Sequence, residues 1–169
     1  METEFQNKEG VTVYQPGDVI VHPMHGAGRI EEIVQQKVAG ETRSYYVLQI
    51  PTGSVRVMVP VDGSAHIGIR PPIDRDTAYA VLDAFAAIEM EDDKNWNRRY
   101  RENMQRLKSG DLSEVSRVVK GLMLRERSHG LSTGERKMLG TSRQILLSEL
   151  ELATGESHET LLARLAAAL

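Results

Sequence analysis

An α+β fold, with a small antiparallel β-barrel of the SH3 or Tudor type followed by a bundle of about five helices, is predicted by three features of the sequence. Residues 1–70 alternate Val and Ile with polar residues between glycine turns; Pro71-Pro72 breaks that pattern; beyond it the apolar period changes from two to 3.6. Asp18–His22 (DVIVH) and Arg29–Val38 read as strands, and Gly26-Ala27-Gly28 bends the chain between them. Ala39-Gly40-Glu41 signals a turn into the β-rich run Ser44–Ile50. Thr52-Gly53 turns again into Ser54–Pro60, where Val55, Val57 and Val59 alternate with Ser54, Arg56 and Met58. His66–Arg70 is expected to close the set. Short strands with glycine turns at this spacing indicate a barrel.

Two consecutive prolines continue neither a strand interior nor a helix, which divides the chain into domains at 1–71 and 72–169. Asp74 can cap a helix with Ala78, Val81, Leu82, Phe85 and Ile88 on one side. After the acidic stretch Glu89–Asp93, a second helix starts near Asn95, carries Trp96, Tyr100, Met104 and Leu107, and ends at Gly110. A third, roughly Ser113–Ser128, turns Val115, Val118, Val119 and Leu122 inward and stops at His129-Gly130. Ser132-Thr133-Gly134-Glu135 is a capping-box pattern in which both side chains satisfy first-turn amides. That helix runs to about Leu152, and Ser157 caps a last one with Leu161, Leu162 and Leu165.

The net charge of −3 conceals a sorted distribution. Residues 73–93 hold 1 basic and 7 acidic side chains, residues 94–143 hold 13 and 5, and residues 144–169 hold 1 and 4. A basic block between acidic flanks points to a polyanionic partner more than the total does. The chain has no cysteine, which excludes disulfides, thiolate metal sites and a thiol nucleophile. METEFQNKEG lacks the basic and apolar segments of a signal peptide, and apolar runs such as Ala84–Ile88 are too short for a membrane helix. A cytoplasmic protein with no membrane partner is expected.

Enzyme chemistry finds little support. His22 and His25 flank Pro23-Met24 but meet no third ligand at a metal-binding spacing, so they read as turn histidines. Gly26-Ala27-Gly28 starts like a dinucleotide fingerprint, yet Glu31 stands where the third glycine belongs. Asp92-Asp93 reads as a solvated pair before a helix N-terminus rather than a magnesium site. No catalytic residue, metal or cofactor is expected. The basic block is more informative: Arg98, Arg99, Arg101, Arg106 and Lys108 crowd one helix, and Arg125, Arg127, Arg136, Lys137 and Arg143 follow on the next two. Guanidinium groups bind phosphate bidentately, and each neutralised phosphate releases counterions. Trp96, the sole tryptophan, is either a core residue in line with Tyr100 and Met104 or an exposed ring that stacks on a base or enters a minor groove. Ser54–Pro60 is either paired within its own barrel or an edge open to another chain's strand.

Four segments resemble the CarD/CdnL family of bacterial transcription factors, whose N-terminal module is shared with the transcription-repair coupling factor: YQPGDVIVHPMHGAGRIEEI (14–33), VRVMVPVDGSAHIGIR (55–70), NWNRRYRENMQRLKSGD (95–111) and GLSTGERKMLGTSRQIL (130–146). The resemblance implies a Tudor-like domain that adds a strand to the β subunit of RNA polymerase, through Arg56, Met58 and Pro60. It implies a monomer whose helical domain holds promoter DNA, largely independently of sequence, at the upstream edge of the transcription bubble and stabilises the open complex. Trp96 then matches a minor-groove wedge. Arg101 and Arg136 match DNA contacts, with Arg98, Arg99, Arg125 and Lys137 nearby. Some members carry Arg where Met58 stands, and Gln36 replaces another basic residue. The competing expectation is a free-standing DNA- or RNA-binding module with no polymerase partner.

Overall fold

The computed structural model describes residues 13–51 and 55–169. Four strands, β1 (Val19–His22), β2 (Gly26–Val38), β3 (Glu41–Gln49) and β4 (Arg56–Pro60), form one antiparallel sheet in the order β1-β2-β3-β4. Ile20 of β1 and Val59 of β4 lie at opposite ends of that order, yet share a core with Ile30, Tyr46, Leu48, Ile50, Val61 and Ile69. The sheet must therefore curl on itself, and a register shift between Ile30 and Glu32 in β2 marks a bulge of the kind that bends strands. Thr52, Gly53 and Ser54, expected to turn into and begin the last strand, lie outside the described residues.

One expected strand is corrected. Ser64–Ile67 is a short helical turn (α1) between Gly63 and Gly68, both at positive φ, and only Arg70 pairs as a strand, in an isolated bridge to Val21. Alternation of Ile67 and Ile69 with His66 and Gly68 mimics a strand. The two left-handed glycines, a conformation other residues rarely adopt, close the turn instead.

The helices follow their caps. Asp74, Asn95, Asp111, Ser132 and Ser157 each accept a first-turn amide, opening α2 (Arg75–Phe85), α3 (Trp96–Lys108), α4 (Leu112–Ser128), α5 (Thr133–Thr154) and α6 (His158–Ala167). Phe85, Leu107, Val118, Val119, Leu146, Leu150 and Leu161 anchor a second core, separate from that of the sheet. Lys120 belongs to the basic block by sequence but is buried. Its ammonium donates to the Phe85 and Ala86 carbonyls at 2.9 Å each, closing the C-terminus of α2.

Sheet and helices are joined through α5. Glu149 is fully buried and receives both Arg70 guanidinium nitrogens at 2.7 Å, together with the Ile73 amide at 2.9 Å. The Ala27 amide donates to Ser148 Oγ at 2.9 Å, and Gln144 donates to the His25 carbonyl at 3.1 Å. Gly26, at φ +91°, lies so close to α5 that a Cβ would run into Ser148 Oγ and reach the Gln144 carbonyl oxygen and Ile145 Cα at 3.0 Å. Gly26-Ala27-Gly28, expected to bend the chain between two strands, is instead the start of β2 paired with β1, the turn falling at residues 23–25, and Gly26 is the foot on which the sheet stands.

Candidate nucleic-acid interface

Asn95 starts α3 by accepting the Arg98 amide at 3.0 Å, and this cap directs the next residue, Trp96, outward. Trp96 is 42% exposed. It stacks on Tyr100 one turn along, with centroids 5.2 Å apart and planes 19° from parallel. Both rings lie against the first turn of α5: a Cβ on Gly134 would meet Tyr100 at 3.6 Å and Trp96 at 3.8 Å, ordinary contact distances. Tyr100 and Met104 pack on the helical core, and Trp96, more exposed than either, lies over Tyr100. Periodicity alone had left both positions open to it.

The cations expected to contact DNA divide into a partnered and an unpartnered group. Arg99 and Arg125 turn inward to one carboxylate: Arg99 Nη2 lies 3.5 Å and Arg125 Nε 3.7 Å from Glu135 Oε2, and all three side chains are largely buried, at 12%, 22% and 5% exposed. Arg99 also donates to the Asp93 carbonyl at 2.8 Å. Arg98 is exposed but pairs with Asp93, and this guanidinium together with the Asn95 amide holds the Asp93 carboxyl down at about 2. Asp93, read from sequence as part of a solvated acidic pair, is therefore tied to the start of α3; Asp92 lies 3.7 Å from Arg125. The second group, Arg101, Arg136 and Lys137, is exposed and has no ion-pair partner among the described residues. Arg101 adjoins Tyr100 in α3, while Arg136 and Lys137 fall within a turn of Gly134 in α5. The three unpaired cations and the stacked, exposed Trp96 thus belong to the same two elements, α3 and the start of α5.

Ser132 and Glu135 do more than the capping box requires. Ser132 Oγ accepts the Glu135 amide as expected, but the Glu135 carboxylate takes the Ser132 hydroxyl and two guanidinium groups instead of a first-turn amide. The motif was legible in sequence; the arginines converging on it were not.

The other candidate surface is β4. It terminates the sheet, and among the described residues no strand covers its outer edge. The Ile50 amide bonds the Val55 carbonyl at 3.1 Å and the Val61 amide bonds the Ser44 carbonyl at 3.0 Å. Antiparallel ladders alternate, so in this register Val57 and Val59 also bond inward to β3, while the backbone groups of Arg56, Met58 and Pro60 point to the open edge. Met58 is 42% exposed, Arg56 pairs with Glu31 at 3.3 Å, and Gln36 Nε2 lies 3.9 Å from Met58 Sδ.

His22 and His25 are ring neighbours, 4.6 Å between centroids, in the β1–β2 turn. His22 Nδ1 accepts the Met24 amide at 3.0 Å, and burial, aided by His25, pushes its pKa down to about 4. Within the described residues no three His, Cys, Asp or Glu side chains are placed to hold a metal ion, and no helix is long and apolar enough to cross a membrane.

Comparison with known proteins gives matches on both sides of the Pro71-Pro72 break. Residues 14–73 match the CarD-like/TRCF RID domain, and residues 80–166 match the CarD C-terminal domain. A protein of Bacillus subtilis (strain 168) named "Putative transcription factor YdeB" is 34% identical over 143 residues, which span 85% of this chain and 94% of the relative.

Proposed function

The chain belongs to the CarD family of non-enzymatic transcription regulators, and from that premise we propose that it tethers itself to the β subunit of RNA polymerase and stabilises the open promoter complex. Two domains, 1–71 and 72–169, divide the work. The edge of β4, through Arg56, Met58 and Pro60, adds to a strand of the β subunit. This raises the effective concentration of the helices near the promoter. Arg101, Arg136 and Lys137 contact phosphates, which position the protein without reading sequence. Arg98, Arg99 and Arg125 support the site through Asp93 and Glu135. Trp96 enters the minor groove at the upstream fork of the bubble, a DNA shape present only after melting begins.

A ligand that prefers the open form shifts the closed–open equilibrium by its differential affinity and no more. One stacked aromatic, worth about 1–3 kcal/mol, favours the open state by about 5- to 150-fold. The observation that carries this reading is the exposed Trp96 stacked on Tyr100, on helices that also carry the exposed, unpaired Arg101, Arg136 and Lys137. Trp96→Ala is expected to retain helical circular dichroism and co-elution with purified polymerase while promoter complexes decay at the unassisted rate. Unchanged decay would contradict the wedge. Failure of the wild-type chain to co-elute with polymerase while it still binds DNA would select the free-standing module.

A further inference from the structure

The indole nitrogen of Trp96 is already engaged. It donates to Ser132 Oγ at 3.1 Å, 36 positions along the chain, and the same oxygen accepts the Glu135 amide at 3.2 Å. A hydroxyl has one proton and two lone pairs. The Ser132 proton goes to Glu135 Oε1 at 3.2 Å, so both lone pairs remain for the two N–H groups. Glu135 is fixed in turn, because its other oxygen, Oε2, faces Arg99 and Arg125. Tyr100 forms a floor under the ring, which also lies against the first turn of α5 at Gly134. An exposed tryptophan in a first helical turn would otherwise exchange rotamers. This one has a face held by stacking and an edge held by a hydrogen bond.

We infer that Ser132 is a positioning residue for Trp96, and that Glu135, clamped by Arg99 and Arg125, orients the Ser132 hydroxyl to receive the indole N–H, so that the ring is set before nucleic acid arrives. Its value to DNA binding rests on the wedge reading above; the clamp itself does not. Holding a side chain in its bound conformation lowers the entropic cost of binding. Two arginines that are withdrawn from phosphate contact thereby act on the DNA through the ring.

Trp96 is the only tryptophan, so its fluorescence reports the clamp directly. Ser132→Gly removes the acceptor while keeping most of the N-cap preference, and Ser132→Thr restores an oxygen. In the free full-length chain, Ser132→Gly is expected to lower Trp96 anisotropy and increase acrylamide quenching, and Ser132→Thr to reverse both. With polymerase and promoter, Ser132→Gly shortens open-complex lifetime by about two- to fivefold, the size of one net hydrogen bond. On a Trp96→Phe background, which lacks the N–H, the same change has no further effect. Unaltered anisotropy and quenching in Ser132→Gly would overturn the clamp. Altered fluorescence with unaltered lifetime would overturn its role toward DNA; if Trp96→Ala is silent as well, the wedge reading has failed rather than the clamp.

Discussion

His22 shows how much one side chain's surroundings decide. Its Nδ1 accepts the Met24 amide, which requires that nitrogen unprotonated, and burial beside His25 lowers the pKa from 6.5 to about 4. In the unfolded chain the imidazole takes up a proton near its ordinary value; in the folded chain it resists until about 4. Between those values the unfolded state binds more protons, so stability falls as pH drops through that window. The denaturant midpoint at pH 5 is expected to lie below that at pH 7.5, and His22→Asn, which keeps an acceptor for the Met24 amide, narrows the gap. An equal gap in both proteins would remove His22 from the acid limb. At this scale the sequence identified residue types but not their employment. Arg99 and Arg101 are two positions apart and alike in composition, yet one faces Glu135 and the other solvent. That difference arises from a carboxylate 36 residues distant from Arg99, which helical periodicity cannot reveal.

Among the elements, the helices were legible because their signals are local: Asp74, Asn95, Ser132 and Ser157 stand where capping chemistry puts them. The sheet was less so, since a strand's place depends on pairing with distant residues. The open edge of β4 is visible only once β3 has taken its other side. Its register makes a sharp test possible. The Met58 amide points outward and the Val57 and Val59 amides inward, so a proline at 58 removes a donor that only a partner strand would use. Met58→Pro is expected to leave circular dichroism and the thermal midpoint close to wild type while reducing capture by an immobilised β-subunit fragment at least tenfold. Val59→Pro, which cuts the protein's own ladder, should unfold the sheet. Full capture by a folded Met58→Pro chain would show that β4 does not receive the partner strand.

For the whole molecule, the Pro71-Pro72 boundary and the change of period announced two blocks, but nothing in the pattern announced that they are locked together. Arg70 and Glu149 are 79 residues apart, and the Ala27 amide meets Ser148 across 121. The lock has a consequence for the proposed mechanism: a tether delivers Trp96 to one place on DNA only if its angle to the helices is fixed. Arg70→Met leaves the fully buried Glu149 without its cation. Breaking such a pair costs about 3–5 kcal/mol, and the lower end applies here because Arg70 is one-third exposed and the Ile73 amide still bonds the carboxylate. Calorimetry is expected to show one unfolding transition in the wild type and two in Arg70→Met, as the sheet and helices uncouple. Polymerase co-elution should persist in Arg70→Met, because β4 is untouched, while open-complex lifetime falls toward the unassisted value. Replacing both partners with apolar residues (Arg70→Met with Glu149→Leu) relieves the uncompensated charge and should recover most of the stability. If that double variant is stable yet still fails to prolong the open complex, the ion pair serves to set the angle; if lifetime recovers along with stability, packing of Gly26 against α5 is enough to set it.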